Sequence, residues 1–184
     1  MAPDEIPKLE TNRLRLRPFV VADAPEVQRL AGDVEVARNT LAMPFPYLDG
    51  MAESWIGNHA NDYKDGKSAI WAITLKDTQQ LIGAIGLSLQ LQYSHAEIGY
   101  WIGKAFWNHG YCTEALKEAI AFGFEQLKLH KIYASHFSNN PQSGKVMQKA
   151  GMQCEGTLKS HMFHWNEYKD LVQYGIWRDE GGNF

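Results

Sequence analysis

Three groups of residues have the types and spacing to do chemistry. The first is Glu97, which heads the apolar and aromatic run Glu97-Ile98-Gly99-Tyr100-Trp101-Ile102-Gly103. Desolvation raises the pKa of a carboxylate held at the start of a buried strand, which suits it to take a proton from an amine. A solvated strand-end glutamate is an equal reading of the same residue. The second group is the polar loop Lys104–Cys112 with Gly110, lying between that strand and a helical run, Thr113–Lys128. A helix start carries about half a positive charge, and a glycine lets main-chain amides come close to an anion. The third is Asn140-Pro141-Gln142-Ser143. Asn-Pro is a good N-cap and first helical position, and Ser143 is either a hydroxyl for chemistry or an idle helix-start residue.

The loop has no Gly-Lys-Ser/Thr at P-loop spacing and is not G-x-G-x-x-G, which disfavours nucleotide hydrolysis and dinucleotide binding. The two cysteines, Cys112 and Cys154, form neither a C-x-x-C nor a disulfide framework. His130, His136, His161 and His164 show no metal-ligand spacing, and no metal is expected. A net charge of −3 disfavours nucleic-acid or membrane-surface binding driven by bulk electrostatics. No run reaches the length of a membrane span and the first residues do not read as a signal peptide, so a reducing cytoplasm is the expected compartment.

The elements that must hold these residues can be read along the chain. With 184 residues, 45% of them hydrophobic, one domain over 1–184 is expected, with no repeat or linker. Arg13–Arg17 alternates as a strand. Asp23, with Glu26 at the capping-box position, starts a helix that Gly32 closes. Met43-Pro44-Phe45-Pro46-Tyr47 is a proline-broken aromatic loop, and Asp49 begins a second helix ending at Gly66. Ser68–Leu75 and Leu81–Gln90 read as a hairpin, with the Glu97 strand third in an antiparallel meander. Lys131–Phe137 is a further strand and Gly151 ends the helix that Asn140 starts. Met152–Leu158, Ser160–Trp165 and Asp170–Trp177 read as three closing strands, with Asn166-Glu167 as the last turn.

Trp107-Asn108-His109-Gly110-Tyr111-Cys112 resembles the Q/R-x-x-G-x-G/A acyl-CoA loop of the GNAT N-acetyltransferases. The wider run, from Tyr100-Trp101-Ile102 to Thr113-Glu114-Ala115, resembles the RimJ/RimL-type branch, where it usually reads YWIGKPYWGKGYATEA. Asn108, His109 and Cys112 depart from it, standing where Gly, a cation and Ala are usual. Asn140 and Ser143 match the family's N-x-x-S, and Lys145, Val146, Lys149 and Gly151 continue that match. The likeness spans roughly residues 9–180.

The resemblance implies an α/β fold: a central, mostly antiparallel twisted sheet of about seven strands, flanked by helices and splayed near Gly103. It implies acetyl-CoA as co-substrate, held by Trp101, Ile102, Gly103, His109, Gly110, Tyr111, Cys112, Thr113, Asn140, Ser143 and Lys145. Glu97 is then the base. Ser143 is the nearest hydroxyl for an acid, because Met147 stands where many relatives carry tyrosine. Phe45 and Tyr47 become candidate acceptor contacts. The implied acceptor is a protein or peptide N-terminal amine, as in ribosomal-protein acetylation. An α-amine with pKa about 7.7–8.0 needs less help from a base than a lysine near 10.4. A small-molecule amine is the rival acceptor. A non-catalytic acyl-CoA-binding module is the reading from another class. The chain is expected to work as a monomer or homodimer.

Overall fold

The computed structural model describes residues 5–179. Strict alternation in Leu14-Arg15-Leu16-Arg17 buries Leu14 and Leu16 completely and turns the arginines outward. The same period-two logic builds a sheet of eight strands: β1 (Leu9–Glu10), β2 (Leu14–Arg17), β3 (Ser68–Leu75), β4 (Leu81–Gln90), β5 (His95–Ile102), β6 (Lys131–Phe137), β7 (Gln153–His164) and β8 (Glu167–Trp177). Their spatial order is β1-β2-β3-β4-β5-β6-β8-β7. Every neighbouring pair is antiparallel except β5–β6.

That parallel pair is short, and its shortness makes the site. Only His95–Glu97 pair with Lys131–Tyr133, although β5 continues to Ile102 and β6 to Phe137. β4 stays bonded along β5, and β8 along β6. The sheet therefore parts into two halves beyond Glu97 and Tyr133. The sequence reading set this opening near Gly103, six positions too late. The Gly103 N–H is instead bonded to the Ile82 carbonyl of β4 at 2.8 Å.

Helices cover both faces. On one, α4 (Tyr111–Glu125) and α5 (Pro141–Lys149) pack through Leu116, Ala119, Phe124 and Met147 onto Ile85, Leu87, Ile98 and Ile132. On the other, α1 (Ala24–Ala31), α2 (Val34–Ala37) and α3 (Met51–Lys64) pack through Val27, Leu30, Val36 and Ile56 onto Ala72, Ala84 and Trp101.

Several boundaries differ from the sequence reading, each for a local reason. Asp23 does not cap α1; its carboxylate accepts two bonds from Arg17 at 2.7 Å and one from the Val20 amide at 2.9 Å. Glu26 pairs with Arg29 instead of closing a capping box. Asp49 accepts from Gln28 at 2.8 Å and leaves the N-cap of α3 to Gly50. The one-turn helix α2, capped by Asp33, was too short for its periodicity to register. Helix α4 starts two residues before Thr113 and ends at Glu125; Lys128 beyond it is left-handed (φ 55°). The three expected closing strands are two long ones, because irregularities at Cys154/Gly156 and Leu158/Met162 bend β7 without breaking it. Their turn is Trp165-Asn166, both at positive φ, one residue earlier than expected.

Candidate active site

The loop between β5 and α4 is pinned from outside and open inside. Trp107 donates its indole N–H to the Ile102 carbonyl at 2.6 Å, and His109 Nδ1 lies 2.7 Å from the Trp107 carbonyl. Asn108 (φ 63°) and Gly110 (φ 77°) are both left-handed, and Gly110 is the N-cap of α4. The first bond in the helical direction runs from the Glu114 amide to the Gly110 carbonyl at 3.1 Å. Among the described residues, the Gly110, Tyr111, Cys112 and Thr113 amides have no acceptor, as expected for the first turn of a helix. These four donors at a helix N-terminus suit a diphosphate. Tyr111, Cys112 and Thr113 are half-buried around them, while His109 is exposed and stacked on the Tyr111 ring. Burial pushes the Cys112 thiol up to about 12, so it stands here as a neutral, free cysteine.

Beyond Glu97 the edge of β5 facing β6 is unpaired. The Gly103–Ile82 bond fixes the phase of the β4–β5 ladder. In that phase the main-chain groups of Glu97, Gly99 and Trp101 face β4, and those of Ile98, Tyr100 and Ile102 point the other way. The Ile98 amide belongs to the last β6 pairing and the Ile102 carbonyl accepts from Trp107, which leaves the Ile98 carbonyl, both Tyr100 groups and the Ile102 amide at the opening. Of the three strand residues expected to meet a ligand through their backbone, Ile102 keeps that position. Trp101 and Gly103 do not: the Trp101 backbone is paired with β4, and Gly103 donates to Ile82 while its carbonyl accepts from the Phe106 amide at 2.9 Å. Trp101 packs instead with α1 and α3, and Gly103 lies so close to Leu30 that an added Cβ would sit 2.6 Å from its Cδ2.

Two groups that can move protons flank this opening on opposite faces of β5. Glu97, third in its strand and paired with both Ser88 and Tyr133, sits where the halves part. Its side chain is half-buried on the face shared with Trp101. Burial alone raises its carboxyl above the ordinary range, and no hydrogen bond or ion pair holds it among the described residues. The solvated strand-end reading is therefore replaced by a desolvated carboxyl.

On the other face, Tyr100 shares a hydrogen bond of 2.9 Å with Ser143 Oγ and donates to the Ser143 carbonyl at 3.3 Å. Burial pushes the Tyr100 phenol up, and nearby Cys112 adds to this; the Ser143 bond works against it. Sequence reasoning placed Ser143 here and missed Tyr100 as a site residue. The strand alternation held the signal, because a residue three positions from Glu97 must face the opposite helices. Met147 is fully buried in the core and offers no hydroxyl.

Asn140 occupies the N-cap position of α5, but its side chain makes no capping bond. Side-chain capping does not account for it, and its carboxamide has no hydrogen-bond partner among the described residues. Lys145 is exposed one turn along the same helix.

On the Glu97 face, the segment joining α2 to α3 crosses over the sheet between two cavities. One, of about 730 Å³, is lined by Val27, Met43, Tyr47, Trp55 and Trp101. The other, of about 350 Å³, is lined by Arg38, Asn139, His164, Trp165, Glu167 and Lys169. Tyr47 thus reaches a cavity wall. Phe45 does not line either cavity; its ring lies tilted against Trp165, centres 5.1 Å apart, and holds the segment against the β7–β8 turn. No cluster of three or more His, Cys, Asp or Glu side chains able to hold a metal occurs among the described residues. No helix among them is long and apolar enough to cross a membrane.

Known proteins resemble this chain in sequence or in fold. An uncharacterized N-acetyltransferase of Bacillus subtilis, YoaA, is 33% identical over 171 residues, covering 92% of this chain and 96% of its own. The [ribosomal protein uS5]-alanine N-acetyltransferase of Escherichia coli is 28% identical over 112 residues, 60% of this chain and 58% of that enzyme. Among solved structures, RimL, the ribosomal L7/L12 alpha-N-protein acetyltransferase in complex with coenzyme A, superposes with a TM-score of 0.85. It covers 93% of this chain and 98% of its own at 14% identity, a likeness of fold. Residues 13–153 match the acetyltransferase (GNAT) domain, and with the parted sheet and open loop in place the chain belongs to the GNAT family of N-acetyltransferases.

Proposed function

We propose that this N-acyltransferase moves an acetyl group from acetyl-CoA to an N-terminal α-amine of a protein or peptide, by direct attack. The observation that carries this reading is the placing of Glu97 and the Tyr100–Ser143 pair on opposite faces of one parted strand. Acetyl-CoA would supply an activated acyl group on a thiol of ordinary pKa about 8.5, which leaves with modest help. Gly110, Tyr111, Cys112 and Thr113 offer amides for its diphosphate, and Asn140 and the Ile98–Ile102 edge offer groups for the amides of its arm.

Each residue then has a defined task. Glu97 takes the proton from the amine, which arrives on the side of α1, α3 and the two cavities. A main-chain N–H of the free β5 edge donates to the oxygen where negative charge develops. Ser143, itself bonded to Tyr100, holds a proton at the departing sulfur on the side of α4 and α5. Tyr47 and Trp101 line the acceptor side.

Two facts support the N-terminal acceptor. The site has a single half-buried carboxyl as base, which suits an amine that is already partly neutral at pH 7. The Escherichia coli uS5 relative is named for an α-amine substrate. A panel of peptides beginning with alanine, serine, methionine and threonine, set against free amino acids, polyamines and lysine peptides, decides it. Turnover is expected on the free α-amines of peptides. Transfer only to lysine side chains or small amines would replace this acceptor, and coenzyme A binding without any transfer would leave a binding module.

A further inference from the structure

The diphosphate site poses an electrostatic problem that its own residues do not solve. Lys104 opens the loop at the end of β5, seven residues before α4; from Ala105 to Cys112 no lysine or arginine follows, and the first turn of α4 carries Glu114. Burial works against ionising that carboxyl, but hydrogen bonds from Thr11 and Arg13 hold it below the usual range. It is a negative charge on the helical turn that would have to accept phosphate.

The compensation comes from the other end of the sheet. Arg13, just before β2, donates from Nε to Glu114 Oε2 at 2.7 Å, and its own amide donates to Oε1 at 2.8 Å. Its Nη1 donates to the His109 carbonyl at 2.9 Å. The guanidinium lies 4.6 Å from the centre of the Tyr111 ring, which stacks in turn on His109. Nη2 would be 3.5 Å from a Cβ added to Gly110. One side chain thus ties the His109 carbonyl to Tyr111 and Glu114 on the first turn of α4 and passes beside Gly110.

The contact with His109 has a geometric consequence. In a trans peptide the C=O and the next N–H point in opposite directions. Fixing the His109 carbonyl on Arg13 therefore turns the Gly110 N–H away from Arg13, toward the side where the remaining first-turn amides are free.

We propose that Arg13 is a positioning residue for the diphosphate of the acyl donor: it offsets Glu114 and sets the direction of the Gly110 amide. This rests on the acetyl-CoA reading above. The sequence separation of Arg13 and the loop hides the relation from any local motif.

The test compares two donors, acetyl-CoA and S-acetyl-N-acetylcysteamine, an acetyl thioester with no diphosphate. Arg13→Gln should lower the ratio of kcat/KM for acetyl-CoA to that for the truncated thioester at least tenfold, with the loss mainly in KM for acetyl-CoA. Calorimetry with coenzyme A should show the same loss as a Kd raised at least tenfold. Arg13→Lys, which keeps charge but not the forked contacts, should fall between. A variant that merely folds less well would lose activity with both donors alike. Either that pattern, or a ratio and a Kd within twofold of wild type, overturns the proposal while leaving the donor site intact. If wild type uses neither donor but binds coenzyme A, the Kd comparison alone decides it. If wild type binds no coenzyme A, the donor reading and this proposal fall together.

Discussion

His59 on α3 gives a quantitative link between acidity and the stability of the fold. It is 4% exposed, and neither ring nitrogen has a hydrogen-bond partner among the described residues. Its neighbours are the rings of Trp55 and Phe19, with centroids 4.4 Å and 5.5 Å away. Burial is the main cause that pushes its pKa down to about 4, against a weaker pull from Asp62. The sign follows from linkage: below 6.5 the unfolded chain binds a proton that the native chain refuses. The stability present above 6.5 is therefore lost as pH falls toward 4. Between pH 7 and pH 5 this one group should cost roughly 2 kcal/mol. Trp55 also lines the larger cavity, so His59 packs directly behind its wall. Urea unfolding of wild type and His59→Phe at both pH values is the assay. Phenylalanine fits an aromatic setting and cannot titrate, so wild type should lose roughly 2 kcal/mol more than the variant between the two pH values. His164, also held down by burial, titrates in both proteins and cancels in the comparison. Equal losses in the two proteins would refute the reasoning.

Three further outcomes follow from the site and the sheet. Glu97→Gln should lower kcat about 100-fold or more at pH 7, as for loss of a general base. The defect should shrink toward pH 9, where an α-amine is neutral in solution. Because burial raises the Glu97 carboxyl, the native state loses stability as pH climbs from the ordinary carboxylate range through the raised value. The same variant should therefore melt higher than wild type at pH 8 and not at pH 4, as read by differential scanning calorimetry. Tyr100→Phe removes the Ser143 bond; a cost of about 1 kcal/mol in stability is expected. Its kcat should become more sensitive to the basicity of the leaving thiol, measured with a series of acetyl thioesters. Gly83→Ala would place a Cβ 2.2 Å from the Trp101 carbonyl, a backbone clash between β4 and β5. A loss of about 1–3 kcal/mol is expected from chemical denaturation.

Local patterns in the chain determined most of the elements. β3, β4 and β6 lie where alternation and flanking turn residues placed them, because each is bounded by polar or glycine-containing segments. The glycine loop and its helix and the Asn140–Ser143 helix start were legible for the same reason: each depends on near neighbours. The sequence left a buried and a solvated Glu97 equal, and only packing from distant elements decided for burial. What depends on distant residues was not legible. Asp23 and Asp49 read as caps, yet both carboxylates found partners outside their helices. Trp101 and Gly103 belonged to the right strand but to the wrong edge, because a strand's sequence does not tell which neighbour takes its hydrogen bonds. Only the folded sheet decided where β5 and β6 part, and hence that Tyr100 meets Ser143 and that Arg13 reaches His109 and Glu114. Periodicity fixes which face a side chain takes; register, which long-range pairing sets, fixes what it faces.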